Sequence, residues 1–415
     1  MRTGWLLALL LTCFLFLSEG RDSERNQQIS IKAALRTPSH VSPGQSYNLT
    51  PFDHCETSLQ PPSPTIPEYI IDLDCPPKER WKELITDKRK EIVVLIEHVK
   101  KFCDVLFGHT LFWMVEEFMP RLADTLPAEY REEFEGIALI TGMNFGEVVL
   151  FNVFYEFFSL CTSIVARSDD GVLYHGRNLD FGLFLGWDPV NHTWQTATLL
   201  KPLVVSLNFI QGNKTLYRAI NYAGYTGILT AINPGKFALT VDERFTWDGG
   251  YVGIAEWILG DRNQQWMGFL TRQVMETCGS YSCAQKKLSK PPLVAPVYFI
   301  LSGTSPTEGC VITRGRNNFD IWPLGERHEN QTGDWFLVQT NFDHWKKPSP
   351  IDNRRSPAVK CMDQLGNKDV PGTLSNVLST RPVLNKLTTY TSIMSAEKHQ
   401  FRTWIQSCPD PCWPW

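Results

Sequence analysis

The sequence predicts an α+β fold in which β-sheets are packed between layers of helices. Three observations support this prediction. Residues 77–160 carry helical periodicity, the chain from Cys161 onward is rich in short strand patterns, and a helical block at about 251–288 divides those strands into two batches. We therefore expect a mainly helical N-terminal segment that packs against a C-terminal part built from sheets.

The first twenty residues have the pattern of a secretory signal peptide. Arg2 supplies the positive charge, residues 5–17 are apolar, and residues 18–20 fit a cleavage site. No later segment has the roughly 18 or more uninterrupted apolar residues of a membrane-spanning helix. We therefore expect a mature chain that begins near Arg21 and lies in the secretory or lysosomal lumen. Four glycosylation sequons agree with this compartment, at Asn48, Asn191, Asn213 and Asn330.

The composition excludes several classes of protein. A formal net charge of −4 and a pI near 6.2 give no reason to expect a nucleic-acid partner. The apolar content of 43% in 415 residues is enough for one or two hydrophobic cores. No metal-ligand spacing is present in the sequence, so we expect no cofactor.

Helical periodicity begins at Pro77, after a stretch rich in Pro, Ser and Thr whose expected regular element is a strand at 69–73. Apolar residues recur there at spacings of three, four and seven. They are Trp81, Leu84, Ile85, Ile92, Leu95, Ile96 and Val99.

Further helices are expected at about 111–119, 128–141 and 145–160. Asn144 and Glu147 have capping-box spacing, which predicts the start of the last of these helices. Its many apolar residues are typical of a buried core helix, although a lipid-facing helix has the same composition.

The segment that follows predicts a hairpin that returns charged residues to Cys161. Two strand patterns, at 163–167 and 172–176, flank a turn of Ser, Asp, Asp and Gly. Residues that face each other then have numbers that sum to about 339 to 341. This register places Cys161 opposite residues 178–180, with Arg177 one position away. Because a guanidinium group stabilises a thiolate, we interpret Cys161 as a nucleophile.

The rest of the chain alternates between strand and helix patterns. Strands are expected at 203–210, 215–220, 226–232, 236–242, 295–301, 309–314, 319–323 and 334–341, and helices at 251–259, 264–277 and 281–288.

The cysteines are expected to be largely paired, because a lumenal compartment is oxidising. Eleven cysteines minus Cys13 of the signal peptide and minus Cys161 leave nine, so at least one more is unpaired. The spacing of Cys408 and Cys412 permits a small closed loop, and so does the spacing of residues 278 and 283. Spacing leaves the other pairings open.

A nucleophilic cysteine needs a base. His175 and His344 are the histidines that could approach Cys161, but the residues around this cysteine lack the papain-like motif. The alternative base is the α-amino group of Cys161 itself, whose reference pKa is about 7.7–8.0. That base exists only after the bond between Leu160 and Cys161 has been cut.

Two motifs, CTSIVA at 161–166 and HGRNLDFG at 175–182, resemble the acid ceramidase family of N-terminal-nucleophile hydrolases. The resemblance implies a four-layer αββα fold. It covers nearly the whole mature chain, and its further segments are residues 186–202, 249–260, 269–272, 309–313, 338–345, 381–388 and the CPDPC motif at 408–412.

The resemblance also implies how the chain matures and acts. Self-cleavage before Cys161 would give an α chain of residues 21–160 and a β chain of residues 161–415. Cys161 would attack the amide carbonyl of ceramide and form a thioester that water releases as fatty acid, leaving sphingosine. The family is lysosomal and also secreted, and works with a saposin-type activator at an anionic lysosomal membrane surface. Its disulfides imply Cys55–Cys361, which would tether the two chains, and Cys408–Cys412.

Other site residues carry over where the local motif matches. Arg177 and Asp180 lie in GRNLD, and we expect Asp180 to hold the α-ammonium or a substrate hydroxyl while Arg177 orients it and lowers the pKa of the thiol. Asn341 suits an oxyanion hole. Glu243 and Arg354 are expected to form an ion pair that supports self-cleavage. The alternative for all four charged residues is ordinary solvated charge.

The substrate is the most open point. N-acylethanolamine acid amidase is a close relative, and the segments YHGRNLD, GTSPTEG at 303–309 and DIWPL at 320–324 resemble it. Residues 184–202, the 249–260 helix and the CPDPC tail are more similar to ceramidase, so ceramide is preferred and N-acylethanolamines are the alternative. A third alternative is a non-enzymatic lipid-binding glycoprotein in which Cys161 forms a disulfide.

Overall fold

A computed structural model describes most of the chain. The described residues are 54–57, 66–107, 119–120, 122–154, 159–181, 186–246, 252–253, 256–257, 260–327, 334–350 and 352–412. The expected signal peptide, the sequons at Asn48 and Asn330 and most of the expected helix at 111–119 lie outside them.

Eight α-helices lie within the described ranges. They are α1 (Lys82–Phe107), α2 (Ala128–Thr141), α3 (Phe145–Phe154), α4 (Gln195–Leu200), α5 (Met267–Thr277), α6 (Tyr281–Ser289), α7 (Arg355–Leu365) and α8 (Val370–Ser379). None of the helices in this part of the chain is both long and apolar enough to cross a membrane.

The strands β1 to β15 form two large sheets and one small hairpin. Their bounds are β1 (Glu68–Asp72), β2 (Ser159–Arg167), β3 (Leu173–Phe181), β4 (Trp187–Asp188), β5 (Thr193–Trp194), β6 (Val204–Gln211), β7 (Lys214–Tyr222), β8 (Thr230–Asn233), β9 (Phe237–Glu243), β10 (Val297–Ser302), β11 (Gly309–Arg314), β12 (Phe319–Pro323), β13 (Phe336–Gln339), β14 (Thr388–Ser395) and β15 (Gln400–Ile405).

The two large sheets face each other between helical layers. The eight-stranded sheet has the order β1-β6-β7-β8-β9-β10-β11-β12, and the five-stranded sheet has the order β13-β2-β3-β14-β15. β2 contacts β9 and β10 of the opposite sheet. α5 and α6 pack on the eight-stranded sheet, and α7 and α8 pack on the five-stranded sheet. The αββα prediction is confirmed.

The N-terminal helices join the core of the eight-stranded sheet. Trp81, just before α1, meets Phe209 of β6 edge to face at 6.0 Å between ring centroids. Tyr130 of α2 stacks on Phe269 of α5 at 4.3 Å. Aromatic pairs of this kind bury large apolar areas and fix the orientation of the helices. The N-terminal segment is therefore part of the layered domain and not a separate unit.

The start of α3 follows the expected capping box. The backbone N–H of Gly146 donates to Asn144 Oδ1 at 2.8 Å, and the N–H of Asn144 donates to Glu147 Oε2 at 3.2 Å. The predicted end at residue 160 was wrong, because residues 159–160 already belong to β2. Pairing with β3 places these residues in the sheet.

The final two strands and two helices were not predicted. β14 has the sequence TTYTSIMS, and every residue in it is buried. Because both faces of this strand are buried, its sequence lacks the alternation of apolar and polar residues that usually identifies a strand. β14 lies between β3 and β15, where neighbouring strands satisfy its hydroxyl groups.

The expected disulfides are present. Cys55 is bonded to Cys361, Cys278 to Cys283 and Cys408 to Cys412. Among the cysteines whose side chains the structure describes, three are free, namely Cys75, Cys161 and Cys310. The prediction of at least one unpaired cysteine besides Cys161 is confirmed.

Candidate active site

The hairpin of β2 and β3 brings Cys161 and Arg177 together. Cys161 lies opposite Leu179, in the register that the sequence predicted. Arg177 is two residues from Leu179, so its side chain shares the face of Cys161. Arg177 Nη2 donates to Cys161 Sγ at 2.6 Å, and both residues are completely buried. Because Cys161 is a free thiol, the alternative of a disulfide-bonded structural cysteine is contradicted.

Arg177 is held in place by the opposite sheet. Its Nη1 donates to the carbonyl oxygen of Leu229 and to Thr230 Oγ1, both at 2.9 Å. Its Nη2 lies 3.7 Å from a carboxylate oxygen of Asp242 on β9. The guanidinium group is therefore fixed against the sulfur by the eight-stranded sheet.

Burial is the main influence on the acidity of the Cys161 thiol in this uncut chain. Burial raises the pKa of Cys161 far above its usual value, and Arg177 opposes that shift only in part. Arg177 therefore acts in the expected direction on the pKa of the thiol, but desolvation is the larger effect in the uncut chain.

Asp180 points to the other face of β3. It accepts hydrogen bonds from Asn385 Nδ2 at 2.8 Å and Thr388 Oγ1 at 2.6 Å, and it lies 3.3 Å from Arg354 Nη1. Burial raises the pKa of its carboxyl, although Arg354 and these hydrogen bonds oppose the shift. The expected orienting contact with Arg177 was wrong, because residues three apart on a strand point to opposite faces.

Arg354, which immediately precedes α7, reaches the backbone of the nucleophile. Its Nη1 donates to the carbonyl oxygen of Cys161 at 2.5 Å, and its Nη2 donates to Asn341 Oδ1 at 2.7 Å. Its ion-pair partners are Asp352, at 2.6 Å, and Asp180. The expected pair with Glu243 was wrong. Asp352 is two residues away in the chain, so little conformational entropy opposes the pair that does form.

Asn341 contacts the peptide unit on the other side of the Cys161 α-carbon. The backbone N–H of Cys161 donates to Asn341 Oδ1 at 2.8 Å. The amide nitrogen of Asn341 donates to the backbone carbonyl of Glu243 at 2.8 Å. In the uncut chain, therefore, Asn341 presents an acceptor to the nucleophile, while the donor expected for an oxyanion hole is bonded to the end of β9.

The two candidate histidines have other roles. His175 is completely buried, with its ring nitrogens 2.8 Å from Thr240 Oγ1 and 3.3 Å from Ser302 Oγ. Burial lowers its pKa to about 3, with a smaller contribution from Arg177, so the ring stays neutral. His344 stacks on Trp322 at 4.4 Å between centroids. The expectation that either ring serves as the base has no support from these contacts.

Sequence reasoning missed several residues around the nucleophile. Asp242 was overlooked beside Glu243, although a carboxylate that directly follows the mainly apolar run FALTV is a usable signal. Asp352, Asn385 and Thr388 surround Arg354 and Asp180, and only the tertiary structure brings them there. For the described residues, no group of three or more His, Cys, Asp or Glu side chains has the arrangement of a metal site.

Comparisons with known proteins agree with this geometry. The family of linear amide C–N hydrolases, choloylglycine hydrolase family, matches residues 161–377, which is just over half of the chain. The family described as the beta subunit of N-acylethanolamine-hydrolyzing acid amidase matches residues 64–126.

Individual relatives are more similar still. Acid ceramidases of Bos taurus and Homo sapiens are each 45% identical over 371 residues, which cover 88% of this chain and 93% of each relative. The acid ceramidase of Mus musculus is 44% identical over 384 residues, covering 90% of this chain and 96% of the relative. Among solved structures, a Caenorhabditis elegans ortholog of N-acylethanolamine-hydrolyzing acid amidase is 31% identical, covers 59% of this chain and 100% of its own, and has a TM-score of 0.49. The chain belongs to the acid ceramidase family, within the linear amide C–N hydrolases.

Proposed function

We propose that this protein hydrolyses the amide bond of ceramide to sphingosine and free fatty acid, with Cys161 as the nucleophile. The observation that carries the proposal is 45% identity to acid ceramidases over 88% of the chain. The contact between Arg177 and the Cys161 sulfur supports the role of this cysteine.

We further propose that the chain first cleaves itself between Leu160 and Cys161. The Cys161 sulfur attacks the Leu160 carbonyl carbon, the C–N bond breaks, and the nitrogen takes a proton. Water then hydrolyses the thioester. The family match that begins at residue 161 supports this step. Arg354 and Asn341 also support this step, because they form hydrogen bonds with the Cys161 carbonyl and N–H on either side of its α-carbon.

Cleavage would free the α-amine that the mature enzyme uses as its base. The amine accepts the thiol proton, the thiolate attacks the ceramide carbonyl, and the sphingosine nitrogen leaves with that proton. A thioester remains and is hydrolysed. Asp180 lies opposite Leu160 in the sheet register, so departure of Leu160 would leave its carboxylate beside the new amine. We assign stabilisation of the oxyanion to Asn341. Loss of one oxyanion-hole donor typically reduces kcat by about 10²–10³-fold.

N-acylethanolamines are the second candidate substrate. The match of residues 64–126 to the beta subunit of an N-acylethanolamine-hydrolyzing acid amidase favours this class. Both substrates present an amide carbonyl to the same nucleophile. The length and identity of the ceramidase matches favour ceramide.

The maturation and location of the enzyme are also proposals. We infer a signal peptide over residues 1–20, an α chain of residues 21–160 and a β chain of residues 161–415 in the lysosome, with a secreted fraction. Asn191 and Asn213 are exposed, as glycosylation requires. Ceramide resides in membranes, so a saposin-type activator and an anionic lysosomal membrane surface are the proposed partners.

The decisive experiment compares wild type with Cys161→Ala after expression in secretory cells. We expect wild type to yield two chains, one with an N-terminus at Cys161, and to hydrolyse C12-ceramide faster than palmitoylethanolamide. Cys161→Ala should give one uncut chain without amidase activity. Cleavage at Leu160 in that variant would overturn the self-cleavage mechanism. A large preference of the wild-type enzyme for palmitoylethanolamide would show that N-acylethanolamines, and not ceramide, are the substrate.

A further inference from the structure

One guanidinium nitrogen is shared by two acids at the active site. Arg177 Nη2 lies 2.6 Å from the Cys161 sulfur and 3.7 Å from Asp242 Oδ1. The cysteine belongs to the five-stranded sheet and the aspartate to the eight-stranded sheet, and all three residues are completely buried. A negative charge on either acid is stabilised by the same cation. The two negative charges therefore compete for Arg177.

Asp242 is poorly equipped to remain ionised. Its Oδ1 accepts a hydrogen bond from Ser163 Oγ at 2.8 Å, and its Oδ2 has no hydrogen-bond partner within the described chain. A buried carboxylate with an unsatisfied oxygen is energetically costly. Burial raises the pKa of Asp242 to about 7, even though Arg177 and Ser163 oppose the shift.

The other charged groups nearby do not remove this competition. Arg354 is already held by Asp352 and Asp180. Tyr390 of β14 is neutral, because burial raises its pKa to about 12. The titratable and charged side chains of the elements around Asp242 are Cys161, His175, Arg177, Asp180, Glu243, Arg244, Tyr298, Asp343, Arg354 and Tyr390.

We propose that Asp242 is a positioning residue that sets the upper pH limit of the amidase. When its carboxyl is protonated, Arg177 is left to the Cys161 thiolate. When it is ionised, it shares Arg177 and adds a second negative charge, so the thiolate is destabilised. The arrangement of Asp242, Arg177 and Cys161 therefore favours reaction in an acidic compartment. This inference rests on the proposed amide hydrolysis.

The test measures the mature enzyme between pH 4.5 and 8.5 by two independent readouts, which are kcat/KM for C12-ceramide and the rate of Cys161 alkylation by iodoacetamide. For a group with a pKa of about 7, roughly a tenth remains protonated at pH 8. Wild-type kcat/KM should therefore fall to about a tenth of its plateau there. Asp242→Asn, which mimics the neutral carboxyl, should lack this fall and should be alkylated up to tenfold faster than wild type at pH 8.

Two comparisons isolate the effect. Asp320→Asn removes an exposed carboxylate from the same sheet and should follow wild type. Ser163→Ala removes a hydrogen bond that lowers the pKa of Asp242, so the alkaline fall should move to higher pH.

The results separate this proposal from the proposed function. An identical alkaline fall in wild type and Asp242→Asn would overturn the role of Asp242, and so would an Asn variant that is unprocessed or inactive at pH 5. If neither C12-ceramide nor palmitoylethanolamide is hydrolysed but the alkylation rates of wild type and Asp242→Asn still differ as expected, the role of Asp242 is supported and the proposed substrate class is rejected.

Discussion

Two arginines from different elements reach Cys161 and act on different parts of it. Arg177, on β3, donates to the sulfur, whereas Arg354, just before α7, donates to the carbonyl oxygen. The first stabilises negative charge on the nucleophile. The second restrains the backbone of Cys161, next to the Leu160–Cys161 bond at which we propose cleavage. Both side chains are buried, so their positive charges are screened little by solvent.

His175 provides a prediction about stability in acid. Its folded-state pKa, about 3, lies below the reference value of roughly 6.5, so unfolding takes up a proton as the pH falls. The contribution of the neutral His175 ring to the free energy of unfolding is therefore fully present above pH 6.5, and it is lost as the pH drops toward 3. At pH 5 the loss is about 2 kcal/mol.

Replacing this histidine should flatten that dependence. We expect the melting temperature of His175→Asn to fall less than that of wild type between pH 7 and pH 5, because no buried imidazole remains to be protonated on unfolding. His399→Asn alters an exposed histidine in a positive-φ turn that Asn tolerates, and it should behave as wild type. An unchanged acid dependence in His175→Asn would contradict this account.

At the scale of elements, β14 shows how a polar strand can be central to a sheet. Thr391 Oγ1 donates to Asn178 Oδ1 at 2.6 Å and accepts from Gln406 Nε2 at 2.8 Å. Asn178 in turn donates to the Leu378 carbonyl at the end of α8. These bonds connect the strand that carries Arg177 and Asp180 to its neighbours, so β14 supports the site without contributing a reacting group.

Thr391→Val should destabilise the fold by about 1–3 kcal/mol for each buried group left unpaired. The valine has nearly the same shape, so loss of packing contributes little. Chemical denaturation of the uncut Cys161→Ala chain measures this effect without interference from cleavage. Thr86→Val, at an exposed site on α1, is the control and should change stability by less than about 0.5 kcal/mol. Equal stability of the two variants would show that the β14 network is dispensable.

For the whole molecule, the segments before and after Cys161 share one core. The buried ion pair between Glu133 of α2 and Arg272 of α5, at 2.5 Å, crosses between them. Both partners are completely buried, so separating the segments would expose apolar surface and leave two charges unpaired. The Cys55–Cys361 disulfide links the same segments covalently.

These links predict different behaviour under denaturing and native conditions. The proposed α and β chains of Cys55→Ser should separate in non-reducing denaturing electrophoresis, whereas those of wild type should remain together. Both proteins should elute as one species in native gel filtration, because the shared core is intact. Cys408→Ser breaks a disulfide inside the β chain and should behave as wild type in both measurements. Separation of the Cys55→Ser chains under native conditions would refute the claim that packing holds them.

The sequence by itself determined the hairpin register, the layered α+β fold, the capping box at Asn144 and the cysteine to examine. Each depends on local periodicity or turn chemistry, which neighbouring residues encode. Only the tertiary structure decided which arginine pairs with which carboxylate. Arg177 meets Asp242 and Arg354 meets Asp180, because strand alternation and the packing of two sheets join residues far apart in the chain. It also decided that the pKa of the Cys161 thiol is raised in the uncut chain, since desolvation depends on complete burial, which no local pattern specifies.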